Sequence, residues 1–405
     1  MTTPALEHWL EANLRDPRQV QASDREMLEK LTVVVPCYGR QDFLLRQCAY
    51  WHGTGVRLVI VDGSEQALSQ STQRIMGGLG DVRYLHASIS MMERLKLAAD
   101  RLETPYAILL GDDEFLLYGG LASALRELER NSSLVACIAQ SLAFYPPAAG
   151  GRCTYGEGYP HWRYAVMQDE PCRRLQAAMS DYTAATCYAV LRTPVWQRSW
   201  GQLRNWSSPY VGEMQQGITT YIWGKLTTVD EVYWMRSSEN RPVTNKGFNR
   251  GLSFQEWWES PKFSTEHQAF LEILKSELVK AHPSHAGNAE ALVVEAVTTF
   301  LQHSREWAEQ QKPVQSVAAY AANAVRASAV RVFKRLIPQS WVEYLKSVRF
   351  NSAKVAEQGR LGDLPALWQS TAEKRFLMTG TLKTELQAME QLVTGFYIAR
   401  ERAPA

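Results

Sequence analysis

The chain has 405 residues, 45% of them hydrophobic and 21% charged, with a net charge of +2. Such a length carries two or three domains with a substantial core, and the near-balanced charge excludes a global electrostatic pull toward nucleic acid. Six cysteines without a C-x-x-C pair argue against a disulfide scaffold and for a reduced, cytosolic setting, and no apolar run approaches the ~18–20 residues of a membrane span.

The opening stretch "MTTPALEHWLEANLRDP" lacks the apolar centre of a signal peptide, so the product is expected to stay on the cytoplasmic side. Residues 1–30 read as one or two short polar helices. At Leu31 the text changes: "LTVVVP" is a β-branched run stopped by Pro36, the pattern of a buried parallel strand. "GRQDFLLRQCAYWHG" follows with Phe43, Leu44, Gln47 and Cys48 at helical spacing. "VRLVIVDGS" is a second buried strand closing on Asp62, and "DVRYLHA", "TPYAILLGDDEF" and "SLVACIAQSLAFYP" continue the series with helices between them. This alternation predicts an α/β fold, a doubly wound and mostly parallel sheet with helices on both faces. Ligands of such sheets gather beyond the carboxyl ends of the strands. Pro36–Arg40, Asp62–Ser64 and Asp112–Glu114 all fall there.

Residues 145–185, with "YPPAAGGRCTYGEGYPHWRY", read as a long irregular loop of the kind that borders a substrate. A helix is expected from near Val211 to Gly224, and a strand from "LTTVDEVYWMR". After about residue 250 only helical patterns appear. The expected division is therefore 1–30, an α/β domain over 31–250, and a helical region over 251–405. His282 and His285 flank Pro283 with no third ligand near, which speaks against zinc.

Asp112, Asp113 and Glu114 stand in a row behind a hydrophobic strand. Either solvation at a loop tip or a divalent cation offsets their repulsion. Carboxylates at a strand end suit Mn²⁺ or Mg²⁺ bridging phosphate oxygens, which complete the octahedron, so one or two protein ligands suffice. Asp62 fits a related role, accepting hydrogen bonds from a base or ribose, or it merely opens the turn at Gly63. Arg40 stands within reach of a pyrophosphate or as a solvated first-turn residue.

"TVVVPCYGR", "LVIVDGS" and "TPYAILLGDDEFLL" in this order resemble the N-terminal half of the family 2 glycosyltransferases, of GT-A fold, over about residues 31–130 and more loosely to Met235. The bacterial subgroup whose motif is a run of acids followed by Phe looks nearest. The resemblance implies an enzyme that transfers a sugar, with inversion, from a nucleotide-diphosphate sugar (UDP-linked first of all) to a glycan or lipid-linked acceptor, in bacterial surface-polysaccharide or glycoconjugate synthesis. It implies that Pro36 and Tyr38 form the bend that holds the base, and that Asp62 lies near base or ribose. Asp112 or Asp113 would face the ribose, and Arg94 and Lys96 would lie near the diphosphate. Glu114 would be the metal ligand, with Asp112. Gly111 stands where the commonest motif begins with Asp, and Glu114 is one methylene longer than the usual Asp. Gly212-Glu213 matches the family's Gly-Glu-Asp helix start, which makes Glu213 the expected catalytic base, in a first turn whose dipole favours an anion. Asp181 is the runner-up. Trp196, Trp200, Trp206 and Tyr210 read either as a sugar platform or as packing.

Two other classes fit parts of the pattern. A sugar-phosphate nucleotidyltransferase also pairs such a sheet with acids and a metal, but "PCYGRQDF" lacks its Gly-rich loop. A carbohydrate-binding protein that kept the fold without catalysis is the other. Residues 314–350 hold six Lys or Arg against Glu343 alone, interleaved with Phe333, Trp341 and Tyr344, a pattern suited to peripheral contact with the inner membrane face or to packing on its own domain.

Overall fold

The computed structural model describes residues 4–147, 152–159, 161, 163–240, 252–310, 360–369 and 379–401. Two short helices, α1 (Pro4–Leu14) and α2 (Ala22–Leu28), lead into the sheet. Then come β1 (Leu31–Cys37), α3 (Asp42–Trp51), β2 (Arg57–Asp62), α4 (Gln70–Gly77), β3 (Val82–His86), α5 (Met91–Ala99) and β4 (Tyr106–Leu109). The expected α/β class holds. β1 pairs in parallel with β2 on one side and β4 on the other, and β2 with β3. Val33, Val34, Val35, Val59 and Ile60 are buried on both faces, as a run of β-branched residues between two helix layers requires.

The second half of the sheet mixes directions. β5 (Phe115–Leu116), α6 (Tyr118–Arg130) and the long β6 (Leu134–Tyr145) are followed by β7 (Thr154–Glu157), α7 (Pro171–Ser180) and β8 (Val190–Arg192). α8 (Thr193–Ser199), α9 (Pro209–Trp223) and β9 (Lys225–Ser237) complete this part. β8 lies antiparallel between β4 and β6, and β9 runs parallel to β6 and antiparallel to β5. The stretch expected to be irregular thus contains β7 and α7. Glu170 caps α7 by accepting from the backbone N–H of Cys172 and Arg173, with Pro171 in the first turn, where its missing N–H costs nothing.

α3 and α6 cover one face of the sheet, and α5, α8 and α9 the other. The later helices are α10 (Phe254–Glu259), α11 (Ser264–Ala281) and α12 (Ala289–Gln310). α11 packs on α9, and α12 on α7. β10 (Arg360–Gly362) adds an antiparallel edge to β7, α13 (Leu364–Gln369) follows, and α14 (Gly380–Glu401) returns to pack on α1 and α3. Trp196, Trp200 and Trp206 are buried in the core, which is the packing role, whereas Tyr210 is exposed. Residues 314–350 lie outside the described residues. Among the described residues no helix is long and apolar enough to cross a membrane.

Candidate active site

The strand ends are tied together before any ligand is considered. Gly63 N donates to Cys37 O at 2.9 Å, and Gly39 N donates to Ser64 Oγ at 3.0 Å, so the bends after β1 and β2 are stitched to each other. Asp62 is fully buried and accepts four hydrogen bonds: Ser64 N (2.9 Å) and Ser64 Oγ (2.6 Å) on Oδ1, and Gln41 Nε2 (2.6 Å) and Tyr84 Oη (2.7 Å) on Oδ2. A ligand reaching this carboxylate has to exchange with one of those donors; Gln41, on the rim, also donates to Gln66 O. Pro36 is half-buried, and the Tyr38 ring beside it is 59% exposed.

Arg94 is placed differently from a phosphate ligand. Its guanidinium is buried and donates to Cys37 O and, at 3.0 Å, to Val61 O, tying the ends of β1 and β2. A Cβ on Gly63 would meet Arg94 Cζ at 2.4 Å, so glycine there makes room for this tie. Burial lowers the Arg94 pKa. Lys96, two residues further along α5, is exposed.

The three acids form a turn between β4 and β5, closed by Glu114 N donating to Gly111 O at 3.1 Å. α3 holds the backbone of this turn. Gln47 Nε2 donates to Asp112 O (3.1 Å) and Glu114 O (2.7 Å), Arg46 Nη2 to Asp113 O (2.8 Å), and Tyr50 Oη to Leu116 O (2.9 Å). Arg40 grips the side chains. Its Nη2 lies 2.5 Å from Asp112 Oδ1, its Nε donates to Asp112 Oδ2 at 3.1 Å, and its Nη1 lies 3.2 Å from Asp113 Oδ2. Asn240 Nδ2 also donates to Asp113 Oδ2, at 2.7 Å. Burial pushes the Asp112 carboxyl up to about 7 although Arg40 pulls it down. Glu114, with Trp234 Nε1 donating to its Oε2 at 3.1 Å, is pushed up to about 8, first by burial and then by the charge of Asp113.

Glu213 lies on α9, which begins two residues earlier than expected because Ser208 caps it and Pro209 fixes the first turn. Glu213 is therefore the fifth helical residue, beyond the first turn where the dipole acts most strongly. Burial pushes its carboxyl up to about 7, with Tyr182 Oη as a long donor at 3.4 Å to Oε1. Asp181 is exposed and ends α7.

An aromatic group backs Glu114. Tyr159 and Tyr188 both stack on Trp234, with centroids 5.2 and 3.9 Å away, and Trp234 is the donor to Glu114. Burial raises the Tyr159 hydroxyl pKa, Arg236 opposes this, and the charges of Glu213 and Glu114 both add to it. Arg46, Tyr159, Tyr188, Trp234 and Arg236 were not singled out from the sequence, and Gln47 was read only as part of the helical spacing of residues 43–48. The only signals were the aromatic density of 145–165 and a polar Gln47 within an apolar helix face.

Among the described residues no group of three His, Cys, Asp or Glu side chains is placed to hold a metal ion. A cation shared with a diphosphate requires fewer protein ligands. The donor set fits one: Glu114 and Asp112 are carboxyls whose pKa values are raised first by burial, and a cation would favour the ionised form that burial disfavours.

No family model and no curated protein matches the chain. Its arrangement is similar to solved structures of S. aureus TarS. The 1–349 form is 11% identical with a TM-score of 0.38, and the same form in complex with UDP-GlcNAc is 10% identical with a TM-score of 0.40; each comparison covers 71% of this chain and 94% of that one. The longer TarS structure is 13% identical over 71% of this chain and 56% of that one, with a TM-score of 0.38.

Proposed function

We propose that the chain is an inverting glycosyltransferase. Its donor is a nucleotide-diphosphate sugar, with UDP as the first nucleotide to test, and its acceptor is a hydroxyl of a glycan or lipid-linked substrate in bacterial surface-polysaccharide or glycoconjugate synthesis. The observation that supports this reading is the acid turn at the end of β4: Asp112, Asp113 and Glu114 are buried there, and Arg40, from the bend after β1, holds the first two carboxylates.

In this reading Pro36 and the exposed Tyr38 ring border the base, and Asp62 takes a base or ribose hydrogen bond in exchange for Gln41. Asp112 or Asp113 faces the ribose once Arg40 turns from them to the diphosphate. Glu114, with Asp112, would hold Mn²⁺ or Mg²⁺. Such a cation supplies charge stabilisation to the leaving diphosphate. Glu213 accepts the proton of the acceptor hydroxyl as its oxygen bonds to the anomeric carbon and the bond from that carbon to the diphosphate oxygen breaks. The enzyme would act on the cytoplasmic side, with 314–350 as a candidate membrane contact.

The test is release of nucleoside diphosphate from a panel of sugar nucleotides, with Mn²⁺ and with a chelator, alongside thermal shifts on ligand addition. Turnover that needs the metal and is lost in Glu114→Ala supports the reading. Sugar-nucleotide formation from a sugar phosphate would point instead to a nucleotidyltransferase. Binding without turnover across the panel would leave a non-catalytic carbohydrate-binding protein.

A further inference from the structure

Arg236 sits on β9 one step beyond the antiparallel pair Phe115–Met235, which places it across from Glu114. Its guanidinium carbon lies 5.1 Å from the centroid of the Tyr159 ring, and that ring is in turn stacked on Trp234. The side chain is partly exposed. The other arginines of this region are engaged: Arg40 with Asp112 and Asp113, Arg46 with Glu239, and Arg94 with two carbonyls. Arg236 makes no hydrogen bond or ion pair among the described residues, although Glu114 is close enough to feel its charge. Oε2 of Glu114 is turned to Trp234 instead.

A guanidinium stacked on a ring keeps its N–H edge free, and that edge matches the two oxygens of a phosphate or carboxylate. We infer that Arg236 binds an oxyanion of the donor, beside the Tyr159 ring and across from Glu114. This rests on the donor reading proposed above and adds a residue to it. Two donor groups have the required chemistry: the terminal phosphate of a nucleoside diphosphate and the carboxylate of an acidic sugar. The position across from the acid turn favours the phosphate.

The experiment measures binding of uridine, UMP, UDP, UDP-glucose and UDP-glucuronate to the full chain, as wild type, Arg236→Gln and Arg236→Lys. Loss of one charge-assisted contact corresponds to about tenfold in Kd or more. If the phosphate is the ligand, Arg236→Gln weakens UDP by that factor, UMP by less and uridine not at all, and Arg236→Lys recovers part of the loss. If the carboxylate is the ligand, the loss appears with UDP-glucuronate and not with UDP-glucose. Unchanged binding of all five overturns the inference and leaves the donor reading standing. An equal loss for uridine and UDP marks a structural role and also overturns it. A wild type that binds none of them overturns the donor reading in its UDP form, and the inference with it.

Discussion

Arg46 and Glu239 are 193 positions apart in the chain, yet they meet as a two-pronged ion pair buried under the acid turn, with both N···O distances 2.6 Å. The Arg46 guanidinium also lies over the rings of Phe43, Phe115 and Phe396, and Tyr397 of α14 donates to Glu239 at 2.9 Å. The pair thus joins α3, the end of β9, the carbonyl of Asp113 and the C-terminal helix. Removing one partner leaves the other charged and buried, which costs about 3–5 kcal/mol. Arg46→Leu and Glu239→Gln are each expected to lower unfolding stability by that order in urea titration. The double variant should lose much less than the sum, because the two changes remove one interaction.

Glu213 supplies a test by pH. Its carboxyl is pushed up to about 7 by burial, so it is mostly protonated at pH 6 and mostly ionised at pH 8. A base must start deprotonated. Activity should therefore rise about tenfold per pH unit below the pKa and level off above it. Glu213→Gln is expected to lose about 10²–10⁴-fold in kcat, the range of a general base, and to abolish that rising limb. A variant that keeps both rate and limb, with donor binding intact, would assign the base elsewhere.

The parallel half of the sheet was legible because each buried strand is a β-branched run that stops at a turn residue, as at Pro36 and at Asp62-Gly63. β5, β7 and β10 were not, since strands this short show no period and their pairing depends on distant chain: Gly362 lies opposite Tyr155. Asp62, the acid turn and Glu213 were visible because they are acids at predicted element ends. Their surroundings were not. Nothing local says that Gln47 and Arg46 reach the carbonyls of residues 112–114, or that Trp234 reaches Glu114, because those contacts exist only once α3 and β9 are packed. The start of α9 was misplaced although Ser208-Pro209 is a cap followed by a first-turn proline. The family resemblance put Arg94 near the diphosphate, and the fold uses it to tie two strand ends.

Gly120 records another contact with no local signature. An added Cβ would stand 2.2 Å from Val232 O, on the backbone of β9, so only glycine lets α6 approach so closely. Gly120→Ala is expected to cost about 1–3 kcal/mol as α6 is pushed off the sheet, outweighing the better helix propensity of alanine. Gly119→Ala is the control. Its Cβ would meet only side-chain atoms, Glu385 Oε1 at 3.1 Å and Thr381 Cγ2 at 3.6 Å, which are able to move. Equal urea midpoints for the two variants would show that the approach of α6 to Val232 is not limiting.

Glu385 links pH to the docking of α14. Its carboxylate accepts from Gly119 N at 2.9 Å at the start of α6, and burial pushes its pKa up to about 7 despite that bond. In the unfolded chain a glutamate titrates near 4.3. Between these values the native state holds a proton that the unfolded state has released. The group's contribution to stability is therefore complete below the unfolded pKa and is lost as pH rises through about 7. Because the side chain is partly exposed, the loss is on the order of 1 kcal/mol rather than the full value of the shift. Asp112, Glu114 and Glu213 titrate in the same direction, so wild-type stability should fall from pH 5 to pH 8 by more than this one group supplies. Glu385→Gln keeps an acceptor for Gly119 N and has no proton to lose. Its urea midpoint should fall less over that range, and it should overtake the wild type at pH 8. Parallel curves for the two proteins would remove Glu385 from the account.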